Sequence, residues 1–242
     1  MAIKENSQTS LSAVRRDIRA LGSPERAKHS LRFFRTGPGE YGEGDKFLGL
    51  TVPEMRAIAK RYRDLGHDEV LELLQSEWHE ERVVALLLLV DGYQRGDDAQ
   101  RRKIHRSYLA NTHRINNWDL VDMSAGQVVG GHLDATEISL LEKLARSKDL
   151  WERRIAIVAT FHFIKQGELG PTQRISEMLL GDKHDLIHKA VGWMLREVGK
   201  KDRKVLDAFL AKHYRVMPRT ALRYAIERHP EATRKRYLAG TI

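Results

Sequence analysis

Apolar residues recur three and four positions apart along nearly the whole chain, and no alternating run of β-branched residues interrupts them. That spacing is the pitch of an α-helix, and a chain that keeps it throughout has no strands to pair. The starts of several helices are written into the sequence as caps. Ser23-Pro24 puts a capping hydroxyl before a ring suited to the first turn, Thr51-Val52-Pro53-Glu54 has the spacing of a capping box, and Met217-Pro218 precedes a further helix. Interruptions are short, such as "RGDD" at 95–98 and "KQGELG" at 165–170, and one longer loop, "TGPGEYGEGDKFLG", spans 36–49. The expected class is all-α.

The helices also repeat. Arg82, Trp118, Arg154, Lys189 and Arg223 each fall near a helix start, and their separations are 36, 36, 35 and 34 residues. A period of that length with two helices per unit predicts a HEAT-like superhelical solenoid, a single domain over 1–242. In a solenoid, equivalent positions line up along one face. Four of these five are basic, so Arg82, Arg154, Lys189 and Arg223 would form a concave stripe able to track a phosphate backbone. One turn further on stand Leu86, Asp122, Val158, Trp193 and Glu227, which places Trp118, Asp122 and Trp193 in the same lining.

Composition narrows the partner. The chain carries 42 Lys and Arg against 33 Asp and Glu, a net charge of +9, which favours a polyanion. It has no cysteine, which excludes disulfides, thiolate metal sites and a cysteine nucleophile. The longest apolar run, "VVALLLLV" at 83–90, is far short of a membrane span, and "MAIKENSQTSLSA" lacks the apolar core of a secretory signal. The expectation is a cytoplasmic protein with no membrane partner.

Asp122 is then the residue in need of a reason, because an acid in a basic groove repels DNA. It is either a carboxylate paired with an arginine such as Arg154, or a group placed there for chemistry. Asp119 has a simpler account in the first turn of its helix, where negative charge suits the dipole. Trp118 and Trp193 are either core or groove lining, and Arg154 either extends its head into water or clamps a phosphate with its planar fork. The pair His184 and His188 lacks the adjacent glutamate and third ligand of a zinc protease, and the glycine loop lacks the ending of a phosphate-binding P-loop. That loop instead delivers the helix start at Thr51–Arg56, where free amides could receive a phosphate.

Five segments in order, "FFRTGPGEYGEGDKFLGLTVPEMR", "INNWDLVD", "LWERRIAIVATFHFI", "HKAVGWMLREVGK" and "MPRTALRYAIER", resemble the AlkD-like DNA alkylation repair glycosylases. The resemblance runs from about residue 30 to 230 and leaves the first twenty or so residues outside it. It implies a superhelix of HEAT-like repeats binding duplex DNA as a monomer and hydrolysing the N-glycosidic bond of N3- and N7-alkylated purines. It implies Asp122 as the catalytic carboxylate, Trp118 and Trp193 flanking the sugar of the damaged nucleotide, and Arg154 on a phosphate. Further DNA contacts fall near Thr51–Arg56, with Arg56 as the cation. No metal or cofactor is implied. The alternative from the residues alone is a non-catalytic DNA-binding or scaffold repeat protein.

Overall fold

A computed structural model describes residues 10–242. The described chain is helix after helix, with no strand beyond one isolated bridge between Lys46 and Trp78. It separates into two compact units, Met1–Ser124 and Ala125–Ile242, and the division falls inside one helix.

The first unit holds α1 (Leu11–Ala20), α2 (Pro24–Phe33), α3 (Val52–Arg61), α4 (His67–Leu74), α5 (His79–Arg95), α6 (Asp98–Ala110) and the first turns of α7 (Trp118–Val128). The caps stand where the sequence puts them. Ser23 accepts from the Arg26 amide with Pro24 in the first turn, and Thr51 and Glu54 form a reciprocal capping box. Helix α5 is the organiser, with α3, α4 and α6 packed around it. Its 17 residues are apolar around most of the circumference, which is why it has no solvent face of any width.

The first turn of α5 is different. His79, Glu80, Glu81 and Arg82 are four consecutive polar residues, all buried, and they reach four different segments. The Glu80 carboxylate accepts from the backbone amides of Leu48, Gly49 and Leu50 at 2.9, 2.7 and 3.3 Å. Glu81 pairs with Arg15 and Arg19 of α1. Arg82 donates to Asp45 at 2.7 Å and to the Ser76 and Glu77 carbonyls. One helix start thus anchors the long loop before α3. That loop needs Gly49, whose φ is +84° and whose added Cβ would lie 2.3 Å from the Ser23 carbonyl oxygen.

The second unit holds the end of α7, then α8 (Ser139–Ala145), α9 (Leu150–Ala159), α10 (Phe161–Gln166), α11 (Gly170–Leu179), α12 (Asp185–Lys201), α13 (Arg203–His213), α14 (Arg219–Ala225) and α15 (Glu231–Ala239). Here α12 plays the part of α5, packing on α9, α11, α13 and most closely on α14. Gly192 permits that crossing: a Cβ there would meet the Ala221 carbonyl oxygen and the Tyr224 Cβ, each at 2.5 Å. Pro218 precedes α14 as its N-cap, as expected. Among the described residues no helix is long and apolar enough to cross a membrane.

Candidate nucleic-acid site

Trp118 opens α7, and everything about its surroundings is organised by the residues on either side of it. Asn117, wholly buried, accepts from the Trp118 amide through Oδ1 at 2.8 Å and donates from its own amide nitrogen to Asp45 Oδ2 at 3.3 Å. Asp119 accepts from His79 Nε2 across 2.7 Å. The other ring nitrogen of His79 stands 3.6 Å from Asp45 Oδ2. Burial by itself would lower the pKa of His79, but the Asp119 charge, the Asp119 hydrogen bond and Asp45 outweigh it and raise the pKa to about 9. Near neutral pH the core under α7 therefore contains an imidazolium between two carboxylates.

The indole of Trp118 is half-buried against phenylalanines. Its ring lies 5.4 Å from that of Phe34 and 5.8 Å, edge-on, from that of Phe33. Phe34 continues into the core onto Phe47 and His79 at 5.0 and 4.9 Å. Phe33 does the opposite: at the end of α2 it is 56% exposed. Trp118 is thus the middle of an aromatic row with a buried and an open end.

Asp122 follows one turn later on α7. Leu120 and Val121 between the two are fully buried, so the exposed edges of Trp118 and Asp122 belong to one helix face. Asp122 is half-buried, and its charge adds to burial in raising the pKa of Tyr108, whose hydroxyl meets Ser124 on the inner side of α7.

In the second unit, Trp193 is half-buried on α12 with the Phe161 ring 6.0 Å away. Lys189, one turn before it, keeps a half-exposed side chain and pairs with Asp185 at 2.8 Å. Arg154 on α9 is 4% exposed and donates to the Leu186 carbonyl at 2.6 Å, tying α9 to the start of α12. Its head is not in water. Arg223 on α14 and, in the first unit, Arg56 on α3 are exposed, and their side chains make no hydrogen bond or ion pair among the described residues.

Two expectations need correction. Arg82 is not part of a phosphate-facing stripe: it is 2% exposed, and its guanidinium is spent on Asp45 and two carbonyls. The start of α3 is not an open anion site either, because Glu54 occupies the Thr51 amide and Glu80 the Leu50 amide. Two carboxylates already fill that place. His184 and His188 serve locally: His184 caps α12 by accepting from the Leu186 amide, and His188 bonds the Asp182 carbonyl.

His79, Asp45, Asn117 and the phenylalanine row were not singled out by sequence reasoning. The available signal was "HEER", four polar residues opening an otherwise apolar helix, directly after a tryptophan.

A family model described as DNA alkylation repair enzyme matches residues 14–229. Among solved structures, the chain is similar to a predicted DNA alkylation repair enzyme from Enterococcus faecalis. The TM-score is 0.66 over 87% of this chain and 97% of that one, at 19% identity, a likeness of fold. No curated protein matches.

Proposed function

Because the chain belongs to the DNA alkylation repair enzyme family, we propose that it is a glycosylase releasing cationic N3- and N7-alkylated purines from duplex DNA. The observation that carries this is the shared outward face of Trp118 and Asp122 on α7, an indole and a carboxylate one turn apart in a chain of net charge +9. A carboxylate on such a face weakens DNA binding, and in this reading its benefit is catalytic. Cleavage of a glycosidic bond builds positive charge on the sugar. Asp122 would stabilise that charge and orient the attacking water, and the electron-rich faces of Trp118 and Trp193 would add to it. The alkylpurine already bears positive charge and departs as a neutral base, so the reaction asks for no general acid and no metal.

In this reading the repeats form a HEAT-like superhelix with the duplex along its basic concave side, and a single chain suffices. Arg56, Lys189 and Arg223, with exposed or half-exposed heads, take phosphates. Arg154, 4% exposed and bonded to the Leu186 carbonyl, does not take one in this reading: like Arg82 it is occupied inside the protein, where it ties α9 to the start of α12. Selectivity comes from the leaving group. Bulky cationic adducts are then substrates, and the neutral base 8-oxoguanine is not.

The test is release of 7-methylguanine from alkylated duplex DNA with EDTA present, by wild type and by Asp122→Asn. Wild type should release the base. The variant should bind DNA at least as tightly and lose the rate by roughly a hundredfold or more, about 3 kcal/mol of barrier. DNA binding without release by wild type would leave the non-catalytic reading standing.

A further inference from the structure

We propose that His79 is a positioning residue for the α7 site, holding Trp118 in place through Asp119 and Asp45 although it is itself out of reach of DNA. The proposal rests on the glycosylase reading for its effect on rate, and on the geometry of the first unit for everything else.

The two residues that flank Trp118 are both tied to the same buried centre. Asp119, on the C-terminal side, accepts from His79 Nε2. Asn117, on the N-terminal side, holds the Trp118 amide and reaches Asp45, which faces the other nitrogen of His79. The backbone of Trp118 is therefore gripped at both neighbours by one imidazole and one carboxylate. The side chain is gripped as well, because the Phe34 ring that stacks on the indole also lies against His79, with the Phe47 ring on His79 at 4.7 Å. A buried cation against aromatic rings and between two carboxylates is a stiff arrangement. His79 meets Asp119 directly and Asn117 through Asp45.

The charges around His79 decide what its proton does. Asp119 faces it from α7 and Asp45 from the loop before α3, while Arg82 on its own helix opposes it and is itself paired with Asp45. The surfaces presented by Phe34 and Phe47 do not titrate. Loss of one proton would leave a neutral imidazole with a single N–H, able to donate to Asp119 or to Asp45 but not to both, while Arg82 and Asn117 stay on Asp45 and the Leu120 amide stays on Asp119. Whichever carboxylate loses the charge facing it, one of the two ties to the neighbours of Trp118 slackens. A displacement of about 1 Å at a reacting group costs as much as a hundredfold in rate.

Three measurements test this together. The first is the single-turnover rate of 7-methylguanine release between pH 6.5 and 9.5, with spontaneous loss subtracted, for wild type, His79→Gln, Asp119→Asn and the double variant. The second is the Kd for undamaged duplex. The third is the fluorine NMR of protein carrying fluorotryptophan, with the Trp118 resonance assigned by Trp118→Phe. His79→Gln should lower the rate between about tenfold and a hundredfold, flatten its alkaline limb and change Kd less than twofold. Asp119→Asn should do the same, and the double variant should lose no more than either. In wild type the Trp118 resonance should move with pH in this window, and in His79→Gln it should not. Losses that multiply in the double variant, or a wild-type Trp118 resonance indifferent to pH, would overturn the proposal. If wild type releases no base at all, the glycosylase reading fails, and the fluorine titration still decides whether His79 holds Trp118.

Discussion

Arg82 Nη2 lies 2.7 Å from Asp45 Oδ1, and the two side chains are only 2% and 5% exposed. A buried pair of this kind is strongly interdependent. Removing one partner strands the other's charge in a medium that solvates it poorly. Arg82→Ala should therefore destabilise the protein by about 3–5 kcal/mol, read by guanidinium denaturation. The same substitution should leave the salt dependence of DNA binding by the folded fraction unchanged. A reduced salt slope with normal stability would return Arg82 to the DNA-facing side.

His79 makes stability fall at alkaline pH. Its folded pKa is raised to about 9 from an ordinary value near 6.5, so the folded state binds its proton more tightly than the unfolded state. The stabilisation is complete below about pH 6.5 and is lost as the pH climbs through about 9. Wild type should lose roughly 1–3 kcal/mol across that window, and His79→Gln should lose much less. Asp45 works in the opposite direction. Burial raises its pKa, but His79 and Arg82 hold it below the usual carboxylate value, so its contribution is intact above that value and is lost as the pH falls below it. Denaturation curves at pH 6.5 and 9.5 for the two proteins separate these effects. Equal losses in both would mean that another group titrates.

The helical class was legible because periodicity and caps are local, and Ser23, Thr51 and Pro218 stand at helix starts as their chemistry requires. The evenly spaced Arg82, Trp118, Arg154, Lys189 and Arg223 fall on five different helices, α5, α7, α9, α12 and α14, at positions from the first to the fifth residue. What spacing could not convey is which way each of these positions faces. Arg82 occupies the fourth residue of α5 and points into the core because Asp45, 37 residues earlier, waits there. Trp118 at the first residue of α7 remains half-exposed. The His79 centre was hidden for the same reason: its partners lie 34 and 40 residues away in sequence and become neighbours only through a loop whose path Glu80 fixes.

Gly192 should tolerate no side chain. Its missing Cβ is what lets α14 press against α12, with a carbonyl oxygen and a Cβ each 2.5 Å from where the methyl would sit. Neither obstacle is the end of a flexible side chain, so helix must move against helix. Gly192→Ala should cost about 1–3 kcal/mol despite alanine's better helix propensity, and it should also disturb Trp193 next door. Thermal denaturation together with the Trp193 fluorine resonance checks both. A stabilised variant would mean that the α12–α14 contact is looser than this packing requires.

Arg56 and Arg223 are the cleanest tests of the phosphate-binding assignment, because they have no structural duty to confuse the result. Both are exposed, on α3 and α14, and neither pairs with any described residue. Replacing either with alanine should leave stability within about 0.5 kcal/mol. If each meets one phosphate, each substitution should weaken binding to any duplex, damaged or not, and lower the slope of log K against log salt by about 1. The double variant should then lower it by about 2, since residues on separate units without shared partners act additively. Lys189 makes an instructive contrast. Its ammonium already pairs with Asp185, so a phosphate must displace a carboxylate before counterions are released. Lys189→Ala should therefore lower the slope by less than either arginine variant. Slopes unchanged in both arginine variants would place the duplex on some other face of the protein.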